Sequence, residues 1–156
     1  MAAAGGASPS VGAIAAIRDD RGRVLLVRQL RGPFAGAWLL PGGGVERDEG
    51  VVHAVARELR EETGLTLAGA HFVACYQVMS EPPGAFDITV FMYAGDASGA
   101  LTAEAGGDVR WFAPGGIPDP HPMLLRQLAD AGIASAGAAA IDASLAAAGI
   151  RVERLA

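Results

Sequence analysis

PGGGVERDEGVVHAVARELREETGL, residues 41–65, holds six acidic residues in its first 22 positions, and three of them, Glu58, Glu61 and Glu62, crowd its end. Apolar residues at 52, 55, 56 and 59 repeat at helical spacing, and Gly64 stands where a left-handed C-terminal cap belongs. The pattern predicts a helix over residues 50–63. On it, positions 58, 61 and 62 stand at i, i+3 and i+4 and share one face. Like charges one turn apart repel, and the C-terminal end of a helix disfavours negative charge by roughly 0.3–1 kcal/mol per group. Only Arg57 and Arg60 lie nearby to compensate. A solvated acidic stripe leaves this crowding unexplained. A divalent cation explains it, because hard cations such as Mg²⁺ take carboxylate oxygens and complete their shell with substrate phosphates.

Just upstream, Gly42, Gly43 and Gly44 follow a short strand predicted around Trp38–Leu40. Glycines let the backbone bend sharply and come close to a ligand or metal, so the run reads as a wall on the phosphate side of a site. Further out, VGAIAAIRDDRGRVLLVRQ reads as strand, turn and strand, with Asp19, Asp20 and Gly22 in the turn. HFVACYQVMS and FDITVFMYAG read as two strands around EPPGA, whose prolines interrupt any ladder. VRWFA predicts one more strand, and PMLLRQLADAG a second amphipathic helix with Met123, Leu124, Leu125 and Leu128 inward. Strands and helices without regular alternation argue for an α+β fold. Residues 1–9 read as a flexible tail of small residues. Residues 131–156 form an Ala-rich extension, expected to be helical and to pack on the domain or on a second subunit, which would make a homodimer, with a loosely held extension as the alternative.

The order Gly43, five residues, Glu49, seven residues, then Arg57-Glu58-Leu59-Arg60-Glu61-Glu62-Thr63-Gly64-Leu65 resembles the Nudix box at nine fixed or class-restricted positions within 23 residues. WLLPGGGVE looks like its usual lead-in. The resemblance implies an α/β/α sandwich with a mixed central β-sheet over residues 10–130. It also implies Mg²⁺-dependent hydrolysis of a nucleoside diphosphate linked to another moiety, with Mn²⁺ as a substitute metal. Glu58, Glu61 and Glu62 match the family's metal ligands, and the Gly42 carbonyl is a further expected contact. Arg57 matches the arginine that orients a box glutamate, and Glu49 the acid that supports the helix and its metal site. Gly43 and Gly44 are expected against the substrate. Glu104, in LTAEAGGDVRWF, resembles a downstream glutamate that some members use as extra ligand or base, with Asp108 as its rival.

Outside the box, Arg28 and Arg31 flank the site by sequence order, as phosphate or ribose contacts or as surface charges. His53 and His121 read first as structural, and Phe34, Trp38 and Phe86 as core or lip residues rather than base-stacking ones. Net charge is −5, with twelve Arg and no Lys, so a nucleic-acid polymer is a poor partner and a small nucleotide a good one. No long apolar run or basic leader indicates a membrane, and a cytoplasmic protein is the expectation. The chain has no asparagine, the residue with which the mutation-sanitising branch can read its purine; that weighs against an 8-oxo-dGTP diphosphatase. A non-catalytic nucleotide-binding version would lose box acids, and this chain keeps them. An isoprenoid-diphosphate isomerase would need a reactive cysteine, whereas Cys75 lies in an apolar strand. Pro82 and Pro83 lie near where ADP-ribose-cleaving members often carry a proline, and they point toward ADP-ribose or a nucleotide sugar.

Overall fold

Strand β1 (Ser10–Ile17) has small or apolar residues on both faces, as a strand covered from two sides requires. In the computed structural model, which describes residues 10–135 and 137–156, both sides are covered. The tail expectation for residues 1–9 lies outside the described residues. The chain continues through β2 (Val24–Arg28), β3 (Trp38–Leu39), β4 (Gly42–Gly44), α1 (Val51–Thr63), β5 (Thr66–Ser80), β6 (Asp87–Ser98) and β7 (Val109–Phe112). A 3-10 turn at Pro114–Gly116 leads to α2 (Pro122–Asp130), α3 (Ala138–Ala147) and β8 (Ile150–Arg154).

A five-stranded sheet runs β4-β1-β6-β5-β8, and a three-stranded one runs β3-β2-β7. β1 pairs parallel with β6 and antiparallel with β4, so the larger sheet is mixed. Ala13, Ala15 and Ile17 of β1 pack with Leu25 against Ala54, Val55 and Leu59 of α1. Ala16, on the opposite face, joins Tyr76, Val78 and Met92 under Leu124 and Leu128 of α2 and Ile141 and Leu145 of α3. This is an α+β fold with helices on both faces of a mixed sheet, the α/β/α arrangement that the resemblance implies. Fully burying Val55 and Leu59 contributes about 1.5–3 kcal/mol each and fixes the rotation of α1. That rotation turns positions 58 and 62 toward β4.

Three local readings differ from the expectation. The glycine run is not a bend: Gly42–Gly44 is an extended edge strand, in register with Ile14, Ala13 and Gly12. Val52 is exposed, because Ala54 takes the inward position at the start of α1. The C-terminal extension is helical only over Ala138–Ala147, and its last residues form β8, which pairs antiparallel with β5. IRVER was hard to read as a strand because alanine surrounds it and charges flank its apolar positions. No described helix is long and apolar enough to cross a membrane.

Candidate active site

The last turns of α1 lie beside β4, and glycine makes the approach possible. A Cβ on Gly42 would run into the Ala13 carbonyl, and one on Gly43 would sit 2.5 Å from the Glu58 carboxyl carbon. Nothing lies within 4 Å of such an atom on Gly44. Glu62 Oε1 accepts the Gly42 N–H at 2.7 Å. Burial pushes the Glu62 carboxyl up to about 8; the Gly42 N–H opposes this, while Glu58, Glu104 and Glu61 reinforce it. Burial also raises Glu58, opposed by its bond from Arg57. Two carboxylates are thus held where burial disfavours their charge.

Arg57 is the organiser. Its Nε and Nη2 donate to the two Glu49 oxygens at 2.7 and 2.9 Å, a bidentate pair. Nη2 also reaches the Gly44 carbonyl at 2.9 Å, and Nη1 donates to Glu58 Oε1 at 2.8 Å. Glu61 is farther from Nη1, at 3.4 Å, with a side chain 55% exposed. The Arg57 hydrogen bonds, and after them the Glu46 N–H, pull the Glu49 carboxyl down to about 2 against the effect of burial. Glu49 precedes α1, and its Oε1 also accepts the Glu46 N–H, closing the loop before the helix.

The other predicted residues divide. Glu104 is close enough to act electrostatically on both Glu58 and Glu62, whereas Asp108 pairs with Arg110 at 2.9 Å. Arg31 lines a cleft of about 340 Å³ that also takes in Gly42, Gly43, Gly44 and Phe34. Arg28 does not; it lies over the Trp38 ring, 5.8 Å from its centroid. His53 is exposed on α1. His121 caps α2 by accepting the Met123 N–H at 3.1 Å, and burial lowers its pKa. Phe34 meets Phe86 and His121 edge to face at 5.5 and 5.1 Å, and so forms the lip of the cleft. Cys75 is buried, with its thiol pushed up by burial, as an inert core residue would be. Two polar cleft residues, Gln29 and Gln127, escaped the sequence reading. Gln127 occupies an inward position of α2 among Met123, Leu124 and Leu128. The available signal was a polar residue on an otherwise apolar helix face.

The NUDIX domain family model matches residues 8–130. The chain belongs to the NUDIX family. It is 34% identical over 95 residues to the ADP-ribose pyrophosphatase of Methanocaldococcus jannaschii, covering 61% of this chain and 56% of that one. It is 39% identical over 77 residues to the RNA pyrophosphohydrolase of Saccharophagus degradans, covering 49% and 43%. The chain thus spans about half the length of the curated relatives it matches. A MutT NUDIX hydrolase from Burkholderia pseudomallei has a similar structure, with a TM-score of 0.66 and 34% identity over 73% of this chain and 90% of that one. These NUDIX relatives carry different substrate names, so the shared box does not choose among them.

NUDIX hydrolases generally use divalent metals, and the residues here fit such an ion. The carboxylates are hard oxygen donors, and the glycine strand leaves the space that a side chain would fill. Among the described residues, no three acidic, His or Cys side chains already enclose a metal position. Arg57 draws Glu58 aside, the Gly42 N–H holds Glu62, and Glu61 points toward solvent.

Proposed function

We propose that this protein is a Mg²⁺-dependent pyrophosphohydrolase that cleaves a nucleoside diphosphate linked to another moiety, with ADP-ribose or a related nucleotide sugar as substrate. The observation that carries the reading is the Glu58–Glu62 pair, two partly buried carboxylates held against the Gly42–Gly43 backbone at the wall of an apolar cleft. Glu58, Glu61 and Glu62 would hold the metal, with Glu104 and the Gly42 carbonyl as further ligands. A bound Mg²⁺ or Mn²⁺ supplies the positive charge that admits an anionic diphosphate to an acid-lined site and neutralises charge on its phosphoryl oxygens.

The chain's own residues position the reaction. Glu49 fixes the Arg57 guanidinium in one plane, and Arg57 fixes the Glu58 carboxylate. The Gly42 N–H orients Glu62. Gly43 and Gly44 form the close wall for the phosphates, and Arg31 offers a cation to phosphate or ribose on the same cleft. Arg28, held on Trp38, belongs to the surface instead.

The name of the Methanocaldococcus relative supports ADP-ribose. A net charge of −5 favours a small nucleotide over RNA. The deciding experiment incubates purified protein and Mg²⁺ with ADP-ribose, nucleotide sugars, deoxynucleoside triphosphates and 5′-triphosphorylated RNA, and resolves the products by ion-exchange chromatography. ADP-ribose or a nucleotide sugar should give the highest kcat/KM, and chelation should abolish turnover. Preference for RNA or for the triphosphates would refute the substrate assignment. Inactivity on the whole panel with Mg²⁺ and with Mn²⁺ would refute the enzyme.

A further inference from the structure

The cleft that begins at Gly42–Gly44 carries Ser10, Gln29 and Arg31 on its wall and extends to α2, which adds one more polar side chain. Val78, Ile88, Val90, Leu40 and Met123 give it apolar sides. Between them stands Gln127, only 6% exposed. Its amide makes no hydrogen bond to any described residue, although its backbone carbonyl accepts the Ala131 N–H. Yet no described side-chain nitrogen or oxygen is both fully buried and unpaired. The Gln127 amide therefore opens into the cleft. Burying most of a glutamine while its amide has no protein partner costs desolvation that water or a ligand in the cleft must offset. A leucine at this position would continue the apolar face of α2 at no such cost.

From this geometry we infer that Gln127 reads the edge of a nucleobase bound between the apolar walls of the cleft. A carboxamide presents a donor and an acceptor side by side. The edge of a base presents the complementary pair, and a glutamine can bond both atoms at once, as it does with adenine N6 and N7. The flat apolar faces of the base suit the aliphatic walls, with Phe34 at the lip. Ligand pockets combine apolar linings with a few placed polar groups in this way. The cleft then runs from a phosphate end at Gly42–Gly44 to a base end at Gln127. This assignment rests on the nucleotide reading above and narrows it: the nucleoside half of the substrate, not the attached moiety, is what the cleft recognises.

The test measures binding without hydrolysis. Wild type and Gln127→Met are titrated calorimetrically with AMP, GMP, CMP and ribose 5-phosphate, after melting curves establish that both are folded. Wild type should bind at least one nucleoside monophosphate about tenfold or more tighter than ribose 5-phosphate, and Gln127→Met should lose most of that preference. In hydrolysis of the best nucleotide substrate, the variant's loss should fall on KM rather than kcat. If the methionine variant melts early, Gln127→Glu keeps the shape while removing the donor, and it should lose the same preference. Equal binding of ribose 5-phosphate and all the nucleotides by wild type would overturn the assignment, as would an undiminished preference in the variants. An inactive protein that still binds nucleotides through Gln127 would refute the enzyme reading while sustaining this one.

Discussion

Glu62 and Gly42 meet across the gap between the end of α1 and the edge of the large sheet, where Glu62 Oε1 accepts the Gly42 N–H at 2.7 Å. The bond satisfies a donor on an edge strand whose ladder partner is β1, and it aims a partly buried carboxylate along β4. Glu62→Gln should therefore fold normally, because its amide oxygen can still accept that N–H and a charge disfavoured by burial is gone. Its turnover should fall about 10²-fold or more, since charge neutralisation at the phosphates depends on the carboxylate. Glu61→Gln, on an exposed side chain, should lose a similar factor. Steady-state kinetics near the wild-type rate for either variant would refute the metal-site assignment.

Metal binding should also appear in stability. Mg²⁺ engages only the assembled site, so the melting temperature should climb with its concentration. At one hundred times Kd the gain is about 2.7 kcal/mol. Glu62→Gln should melt at or above wild type without metal and gain less from Mg²⁺. A melting curve indifferent to millimolar Mg²⁺, alone and with a non-hydrolysable ADP-ribose analogue, would favour a non-catalytic binding module.

Gly43 and Gly44 are adjacent, and their substitutions should diverge. Alanine at Gly43 would place a methyl group 2.5 Å from the Glu58 carboxylate. Overpacking of that kind costs about 1–3 kcal/mol, and a displaced catalytic group costs about 10²-fold in rate. Alanine at Gly44 meets nothing within 4 Å, and its extended backbone suits any residue, so stability should hold or rise by about 0.4–1 kcal/mol. Thermal melts of the two variants decide it. Equal destabilisation would mean that close approach is not why glycine stands at position 43.

The box predicted α1, its cap at Gly64 and the acid cluster because those features are local: helical spacing and one glycine suffice. The role of the glycine run was misread because closeness between Gly43 and Glu58 is a tertiary fact. Sequence permits a bend or a close approach, and only the β1–β4 pairing selects the second. β8 was missed because a short charged edge strand depends on its partner β5 more than on its own propensity. Arg28 and Arg31 could not be separated by order along the chain, since a three-residue step over the β2–β3 connection carries one into the cleft and the other onto Trp38.

The Arg57–Glu49 pair gives an acid-limb prediction. The folded-state pKa of Glu49 is lowered from 4.5 to about 2, chiefly by its hydrogen bond from Arg57. A depressed carboxylate contributes stability that is complete above its unfolded value and lost as pH falls through its folded one. The loss from this group therefore runs between about pH 4.5 and 2. Glu49→Gln should flatten that part of the curve of melting temperature against pH. Arg57→Lys should resemble it, because an ammonium cannot make the bidentate pair. Parallel acid limbs for wild type and Glu49→Gln would show that the pair contributes nothing to folding.

The C-terminal segment supports the layer opposite the acids. Ile150 is 5% exposed, and β8 pairs with β5 from Tyr76↔Arg154 to Ser80↔Ile150. Asp130 accepts the Tyr76 hydroxyl at 2.6 Å and lies 3.4 Å from Arg154, which ties β5, α2 and β8 together. Ending the chain after Gly149 removes the buried Ile150, worth about 1.5–3 kcal/mol, and leaves the β5 edge unpaired. The melting temperature should drop by roughly 5 °C or more. Self-association in sedimentation should increase, since an open edge recruits other strands. Glu58, Glu61 and Glu62 stand on α1, on the face of the sheet opposite α3, while β8 is the edge strand farthest from β4. The shortened protein should therefore keep its Mg²⁺-dependent gain in melting temperature. Loss of that gain in a variant that remains folded by circular dichroism would mean that the C-terminal segment belongs to the active site after all.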